Sequence, residues 1–365
     1  MRVGFIINSR VPCLRAIGRG MPPWALISGW DDAGSNMSFM RFHWLARFQP
    51  KGICYELYRP SQFYDAVVFV KSMGTACMEL LHRLRRAGTA VLFEANVDYY
   101  TSWNGPAPME AVVPTARQKM DAAEITEAVD AVVASSRYLT GVCSRLNSRS
   151  YWVPDNILPE FCSAASYWKK DAEGRLQVWW SGMANKLFDL LAAQESLSRF
   201  RDKIHLHLVT GDLLPEKTQW HPEIRRQFEV FLERVPHTFH RFQSISQLLN
   251  LYSTGGIIIS PRFLEIPYNL GHSEWKITLG MACGLPALAS PQPSYQDVAQ
   301  RSQAGAIRIC RNDSDWDAAL EWACACVNRP SESARDVVRR YYLTPLVAVQ
   351  HLRAVRSALH RKLTN

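Results

Sequence analysis

The sequence lacks any apolar run long enough to cross a bilayer. Its opening run after Arg2 is about five residues, against the roughly twenty that a membrane helix needs. That run is also too short for the core of a secretory signal, so the expectation is a cytoplasmic protein. The nine cysteines are scattered, and Cys324 and Cys326 stand one residue apart rather than the two of a redox or zinc pair. This excludes a disulfide scaffold and predicts free thiols in a reducing compartment. None of the ten histidines has the close His, Cys or carboxylate company of a metal centre, so a metal-free site is expected. With no arginine-rich tail, zinc-finger spacing or helix-turn-helix pattern, nucleic acid is not an expected partner. No short-period repeat points to a solenoid.

What is present is a chain of 365 residues, 47% hydrophobic and 21% charged, a composition that packs as a globular protein of two domains. The net charge of +9 suits phosphorylated substrates or an anionic membrane surface. Buried apolar runs at Arg2–Ile7, Gly52–Tyr58, Tyr64–Val70, Thr89–Ala95 and Val129–Ser135 read as strands. Between them, Ser35 or Ser38 opens a helix through Phe39, Phe42 and Leu45; Thr75–Arg86 and Thr115–Glu127 are further helices, and Ser136 caps one from Arg137. After a loop-rich passage from Pro154 to about Gly174 the pattern repeats. Strands are expected at Leu176–Ser181, Ile204–Thr210, Ile257–Ser260, Ala287–Ala289 and Ile307–Cys310, with helices at Lys186–Arg199, His221–Val235, Trp275–Cys283 and up to Cys326. A basic amphipathic helix closes the chain from about Leu346. Strands alternating with helices imply a parallel, doubly wound sheet in each half.

Two helix starts carry an unexpected residue. Ser273 is placed to cap the helix that Gly284 and Pro286 terminate, and Asn185 to cap the one after Leu176–Ser181. Lys276 and Lys186 then fall in first turns, where the macrodipole disfavours a cation. An anion held by free amides and the two ammonium groups would explain both; two solvated surface lysines are the plainer alternative. In open α/β sheets ligands sit beyond the carboxyl ends of strands, where both lysines lie.

Gly271–Ser290 also resembles the nucleotide-binding signature of GT-B glycosyltransferases of the family 4 type, through Lys276, Met281, Ala282, Gly284 and Pro286. The ribose-binding glutamate of that signature falls at Leu279; Glu265 or Glu274 stands as the substitute. Ser181-Gly182-Met183-Ala184-Asn185-Lys186 resembles the family's glycine-then-lysine loop against the donor diphosphate. By the same resemblance Arg262 and Glu265, just after Ile257–Ser260, face the donor, though pairing with each other is an equal reading, and Gly211 lines the base pocket or is only a turn. Phe93 to Tyr100 is similar to an acidic strand end of bacterial surface-polysaccharide enzymes, which makes Glu94 and Asp98 acceptor-side groups and Asp98 the candidate catalytic carboxylate; a capping role is the alternative. Arg41 resembles an arginine near the cleft, with a surface arginine as its alternative.

The resemblance implies two Rossmann-like domains with a cleft between them: residues 1–158 for the acceptor, 159–345 for the nucleotide sugar, and a closing helix, 346–365, packed back on the first. It implies transfer of a sugar from a nucleotide-diphosphate donor to a hydroxyl of a glycan or glycolipid, with retention, without metal or cofactor; the net charge and the basic last helix suit a glycolipid at the inner face of an anionic membrane. A sugar-nucleotide epimerase would interconvert the donor alone; a non-catalytic scaffold would turn over nothing.

Overall fold

The computed structural model describes residues 1–7, 39–103, 105, 107–109, 112–163, 171–211 and 220–364. Within these residues there are two six-stranded, all-parallel sheets. The first holds β1 (Arg2–Ile7), β2 (Cys54–Leu57), β3 (Ala66–Val70), β4 (Ala90–Ala95), β5 (Ala131–Ala134) and β6 (Ser150–Trp152), in the order β2-β1-β3-β4-β5-β6. The second holds β7 (Leu176–Ser181), β8 (Ile204–Thr210), β9 (His237–Arg241), β10 (Ile257–Ser260), β11 (Ala287–Ala289) and β12 (Ile307–Ile309), in the order β12-β11-β10-β7-β8-β9. Winding direction reverses between β1 and β3 and between β7 and β10. Loops leaving the carboxyl ends on either side of such a reversal diverge and open a crevice.

The central strands β3, β5 and β10 are nearly continuous apolar runs because helices cover both faces. Val3 and Phe5 of β1 pack on Phe42, Leu45 and Val355, whereas Ile6 and Val67 pack on Leu80, Leu81 and Leu84 of α1 (Thr75–Arg86). Gly88, at φ 79°, takes the left-handed turn after α1. Thr115 and Gln118 form a reciprocal capping box on α2 (Ala116–Ala128), and Ser136 caps α3 (Arg137–Ser144) as its position in the sequence predicts.

Two expected caps are corrected. Glu274, not Ser273, is the N-cap of α4 (Trp275–Ala282), without a side-chain bond, and the Ser273 hydroxyl instead donates to the Asp155 carboxylate. Ala184–Ala193 is a 3₁₀ segment preceded by Met183 rather than capped by Asn185, and a short α-helix, Gln194–Arg199, follows it. The Ser35 and Ser38 caps lie outside the described residues.

The two halves are tied by adjacent crossings. Ile157 N donates to Tyr342 O at 2.8 Å, Thr344 N to Ile157 O at 2.9 Å, and the Thr344 hydroxyl to Asn156 Oδ1 at 2.8 Å. Helix α5 (Thr344–Thr364) then lies on β3, β4 and β5, and inserts Val347, Ala348, Ala354, Val355 and Ala358 into the core beneath the first sheet. In the opposite direction, Met109 and Val112 enter the core of the second half. No described helix is long and apolar enough to cross a membrane. Cys54, Cys77, Cys143, Cys162, Cys283, Cys310, Cys324 and Cys326 are all free thiols.

Candidate functional site

The carboxyl end of β7 turns sharply at Gly182. A Cβ there would stand 2.9 Å from the Trp180 ring and 3.2 Å from Lys276 Nζ, so glycine lets α4 bring its lysine against this turn. The Lys276 ammonium lies 4.2 Å from the centre of the Trp180 ring. From the 3₁₀ segment, Lys186 places its ammonium 3.9 Å from the centre of the Tyr268 ring, and its side chain is 8% exposed. Both nitrogens are buried and neither has a hydrogen-bond partner. Ser181, between Trp180 and Gly182, accepts a hydrogen bond from the Tyr252 hydroxyl at 2.8 Å.

The carboxylate that opposes these cations is Asp189, and it is already engaged. Arg262 Nη1 donates to it at 2.5 Å and Asn269 Nδ2 at 3.2 Å, all three residues being buried. Desolvation pushes Lys186 down to about 7, with Arg262 and Lys71 adding to the depression against the pull of Asp189. Lys276 is driven well below the usual lysine range by burial, then by Arg262 and Lys186. His272, in edge contact with Tyr268 at 4.8 Å, is held neutral by burial and by Arg262, Lys186, Lys71 and Lys276. The result is a crevice of buried amino groups and free N–H donors whose charged forms are disfavoured until an anion arrives. Such a surface is complementary to a compact polyanion.

The other sequence candidates fall elsewhere. Arg262 pairs with Asp189, and Glu265 is exposed. Gly211 is exposed at the end of β8, with nothing within 4 Å of a Cβ; Asp212 lies outside the described residues. Leu279, at the position of the ribose glutamate, is buried in the apolar core behind α4. Glu274 is buried at the junction of the halves, where desolvation and then Asp155 help push its carboxyl up to about 8, with Tyr342 bonded to it. Arg41 and Glu94 are fully buried and paired with each other; Arg41 also donates to the carbonyls of Val153 and Pro154 at 2.9–3.0 Å. They tie the first sheet to the crossing, beneath the cleft surface. Asp98 is buried and accepts from Tyr100 N, Thr101 N, the Thr101 hydroxyl and the Tyr138 hydroxyl at 2.8–3.2 Å, so its carboxylate anchors the loop after β4. The acidic run Asp313-Ser314-Asp315-Trp316-Asp317, an Asp-x-Asp pattern in form, begins a helix capped by Asn312 and pairs with Arg199 and Arg311.

Sequence reading missed Lys71, Trp180, Tyr268 and His272. The three aromatic rings cover or flank the lysines only through tertiary contact, and an isolated lysine after β3 carries no local signal.

No protein-family profile and no curated protein matches the chain in sequence. Among solved structures it is similar to Anabaena Alr3699/HepE in complex with UDP-glucose, with a TM-score of 0.60 at 10% identity over 98% of this chain and 99% of that one. It is also similar to sucrose-phosphate synthase (tll1590) from Thermosynechococcus elongatus, with a TM-score of 0.59 at 17% identity over 82% and 74% of the two chains. The α,α-trehalose 6-phosphate synthase of Burkholderia multivorans gives 0.56 at 11% identity over 82% and 71%. Two parallel six-stranded sheets, each reversing its winding once, and a last helix returned to the first sheet give this chain the GT-B fold, α/β with two Rossmann-like halves.

Proposed function

We propose that the chain is a glycosyltransferase of the family 4 type that takes a nucleoside-diphosphate sugar in its second half and transfers the sugar, with retention, to a hydroxyl of a glycan or glycolipid. The observation that carries this reading is the pair of buried ammonium groups, Lys186 and Lys276, at the turns after β7 and before α4, with no anion of their own. A donor diphosphate between them supplies that anion, and the same charges stabilise the leaving nucleotide as the glycosidic bond breaks. The donor groups proposed are Ser181, Gly182, Lys186 and Lys276, with Arg262 and Asp189 holding the wall behind them. The proposal includes neither a metal nor a cofactor. The UDP-glucose complex of the Anabaena neighbour supports a nucleotide sugar as ligand. The net charge of +9 is compatible with action beside an anionic membrane at the cytoplasmic side.

Leu279 favours a second reading, a binding protein without turnover, because no carboxylate occupies the ribose position. Thermal shift against UDP-, GDP-, dTDP- and CMP-sugars, with Lys186→Ala and Lys276→Ala as controls, tests the first. A ligand confined to the folded state at a hundredfold excess over its dissociation constant stabilises by about 2.7 kcal/mol. One donor should raise the melting temperature in the native chain and in neither variant; no shift with any donor sinks the transferase reading. Binding without release of free nucleotide, with or without candidate acceptors, would select the second.

A further inference from the structure

Once the donor reading has used Lys186 and Lys276, and Asp189 has matched Arg262, one cation in the crevice is left over. Lys71 follows β3 directly, so it leaves the first sheet at that sheet's own reversal, on the wall opposite the two donor lysines. It is the non-glycine residue with a positive φ among the described residues, at 51°. A left-handed backbone is disfavoured for a lysine, and the neighbouring chain imposes it. The Lys71 amide donates to Glu94 O at 3.0 Å, and Ser72 is fully buried, its hydroxyl donating to the carbonyls of Val70 and Ile6. The ammonium lies 5.8 Å from the centre of the Tyr99 ring; among the described residues no carboxylate or other acceptor takes it.

The opposite walls meet at this point. Ser136 donates to Gly271 O at 3.1 Å, and a Cβ on Gly271 would stand 2.7 Å from Asp98 N. The loop carrying Tyr99 therefore touches the loop carrying His272, and His272 leads through Tyr268 to Lys186. The Lys71 charge is felt by Lys186, Tyr268 and His272 alike. A sugar-linked diphosphate has two negative charges, which Lys186 and Lys276 match. With the donor diphosphate taken by the two lysines of the second half, the first-sheet wall that carries Lys71 is the one left for a second substrate.

We propose that the acceptor is itself anionic, bearing a phosphate or carboxylate group, and that Lys71 binds that group. The assignment rests on the donor reading above and narrows the acceptor from any glycan or glycolipid to a charged one. Lys71 is half-buried, so a neutral acceptor that covered it would remove its water without supplying an anion.

The test uses the full chain saturated with whichever of UDP, GDP or dTDP raises its melting temperature most, titrated with inorganic phosphate at constant ionic strength. Lys71→Asn removes the charge while keeping a residue that tolerates the left-handed backbone, and Lys71→Arg keeps the charge. Phosphate should bind the nucleotide-loaded native chain and the Lys71→Arg chain, and about tenfold more weakly the Lys71→Asn chain, with nucleotide affinity held within about twofold in all three. Absence of phosphate binding to the loaded native chain overturns the assignment, as does phosphate binding that Lys71→Asn leaves unchanged. Loss of nucleotide affinity in Lys71→Asn overturns it too, by making Lys71 a donor clamp. Failure of every nucleoside diphosphate to bind the native chain would remove the donor reading, and this assignment with it; the nucleotide arm reports that separately.

Discussion

At the scale of single residues, the crevice is a place where stability has been exchanged for complementarity to a ligand. Lys186 and Lys276 are buried amino groups without an anion, and burying such a group, charged or deprotonated, disfavours the folded state. Replacing either with methionine keeps the stem and removes the charge. Each substitution should stabilise the ligand-free protein by about 1–2 kcal/mol, read as a higher melting temperature, while abolishing the shift on adding donor. A melting temperature that fell in both would mean the ammonium groups are already matched. The pH dependence of binding follows from Lys186 at about 7 in the free protein. A bound diphosphate raises that value, so binding takes up a proton between the free and bound values. Donor affinity should be greatest below pH 7 and fall as pH rises, by up to about tenfold per unit. The nucleotide sugar is the right probe, because its diphosphate has no titration of its own in that window, and Lys186→Arg, which stays charged, should flatten the profile. Both lysines stand out in the sequence because a cation in a first helical turn opposes the macrodipole; Lys276 does lie in the first turn of α4, whereas Lys186 lies in a 3₁₀ segment. Lys71, Tyr268 and His272 do not stand out, since nothing local distinguishes them until the two walls are brought together.

At the scale of elements, the strands that match their sequence reading residue for residue are β1, β7, β8, β10 and β11, interior strands whose mainly apolar residues end at a turn or a polar residue. The strands that went unread are edges. β6 is a half-buried Ser-Tyr-Trp, and β9 is His-Thr-Phe-His-Arg, half-buried to exposed, in which His237 to Arg241 pair with β8 without forming a hydrophobic face. Edge strands have one neighbour and need less apolar surface, so their signal is weak. The helices Ile245–Tyr252, Pro293–Arg301 and Glu332–Tyr341 also went unread. Where an element is pressed against another, glycine marks the contact. A Cβ on Gly280 of α4 would come 2.1 Å from Ile258 Cγ1 in β10. Gly280→Ala should push α4 off the sheet, lower stability by about 1–3 kcal/mol, and move Lys276 away from Gly182. Denaturant titration reads the first effect and donor affinity the second; an unchanged value of both would refute the contact.

At the scale of the whole molecule, the halves meet through a buried polar junction in which Arg41, Glu94, Asp155, Ser273, Glu274 and Tyr342 are linked. Glu274 is held at about 8, far above an exposed glutamate. The folded state therefore keeps a proton that the unfolded chain releases above the normal carboxylate value, so stability contributed here is present at acid pH and declines as pH rises towards 8. Glu274→Gln cannot lose that proton. Its melting temperature relative to the native chain should rise between pH 5 and pH 8, and a constant difference would show that the carboxyl is ionised throughout. The overall architecture was readable from alternation of strands and helices, but the junction was not, because its members lie far apart in the chain. Helix α5 carries a different consequence. Its alanines and valines, from Val347 to Ala358, complete the core beneath β3, β4 and β5, three strands made more than two hundred residues earlier. On the ribosome the order of synthesis and the order of completion are therefore reversed. The second sheet has all its strands once residue 309 has emerged, whereas the first half, translated first, must wait for the last helix to close its core.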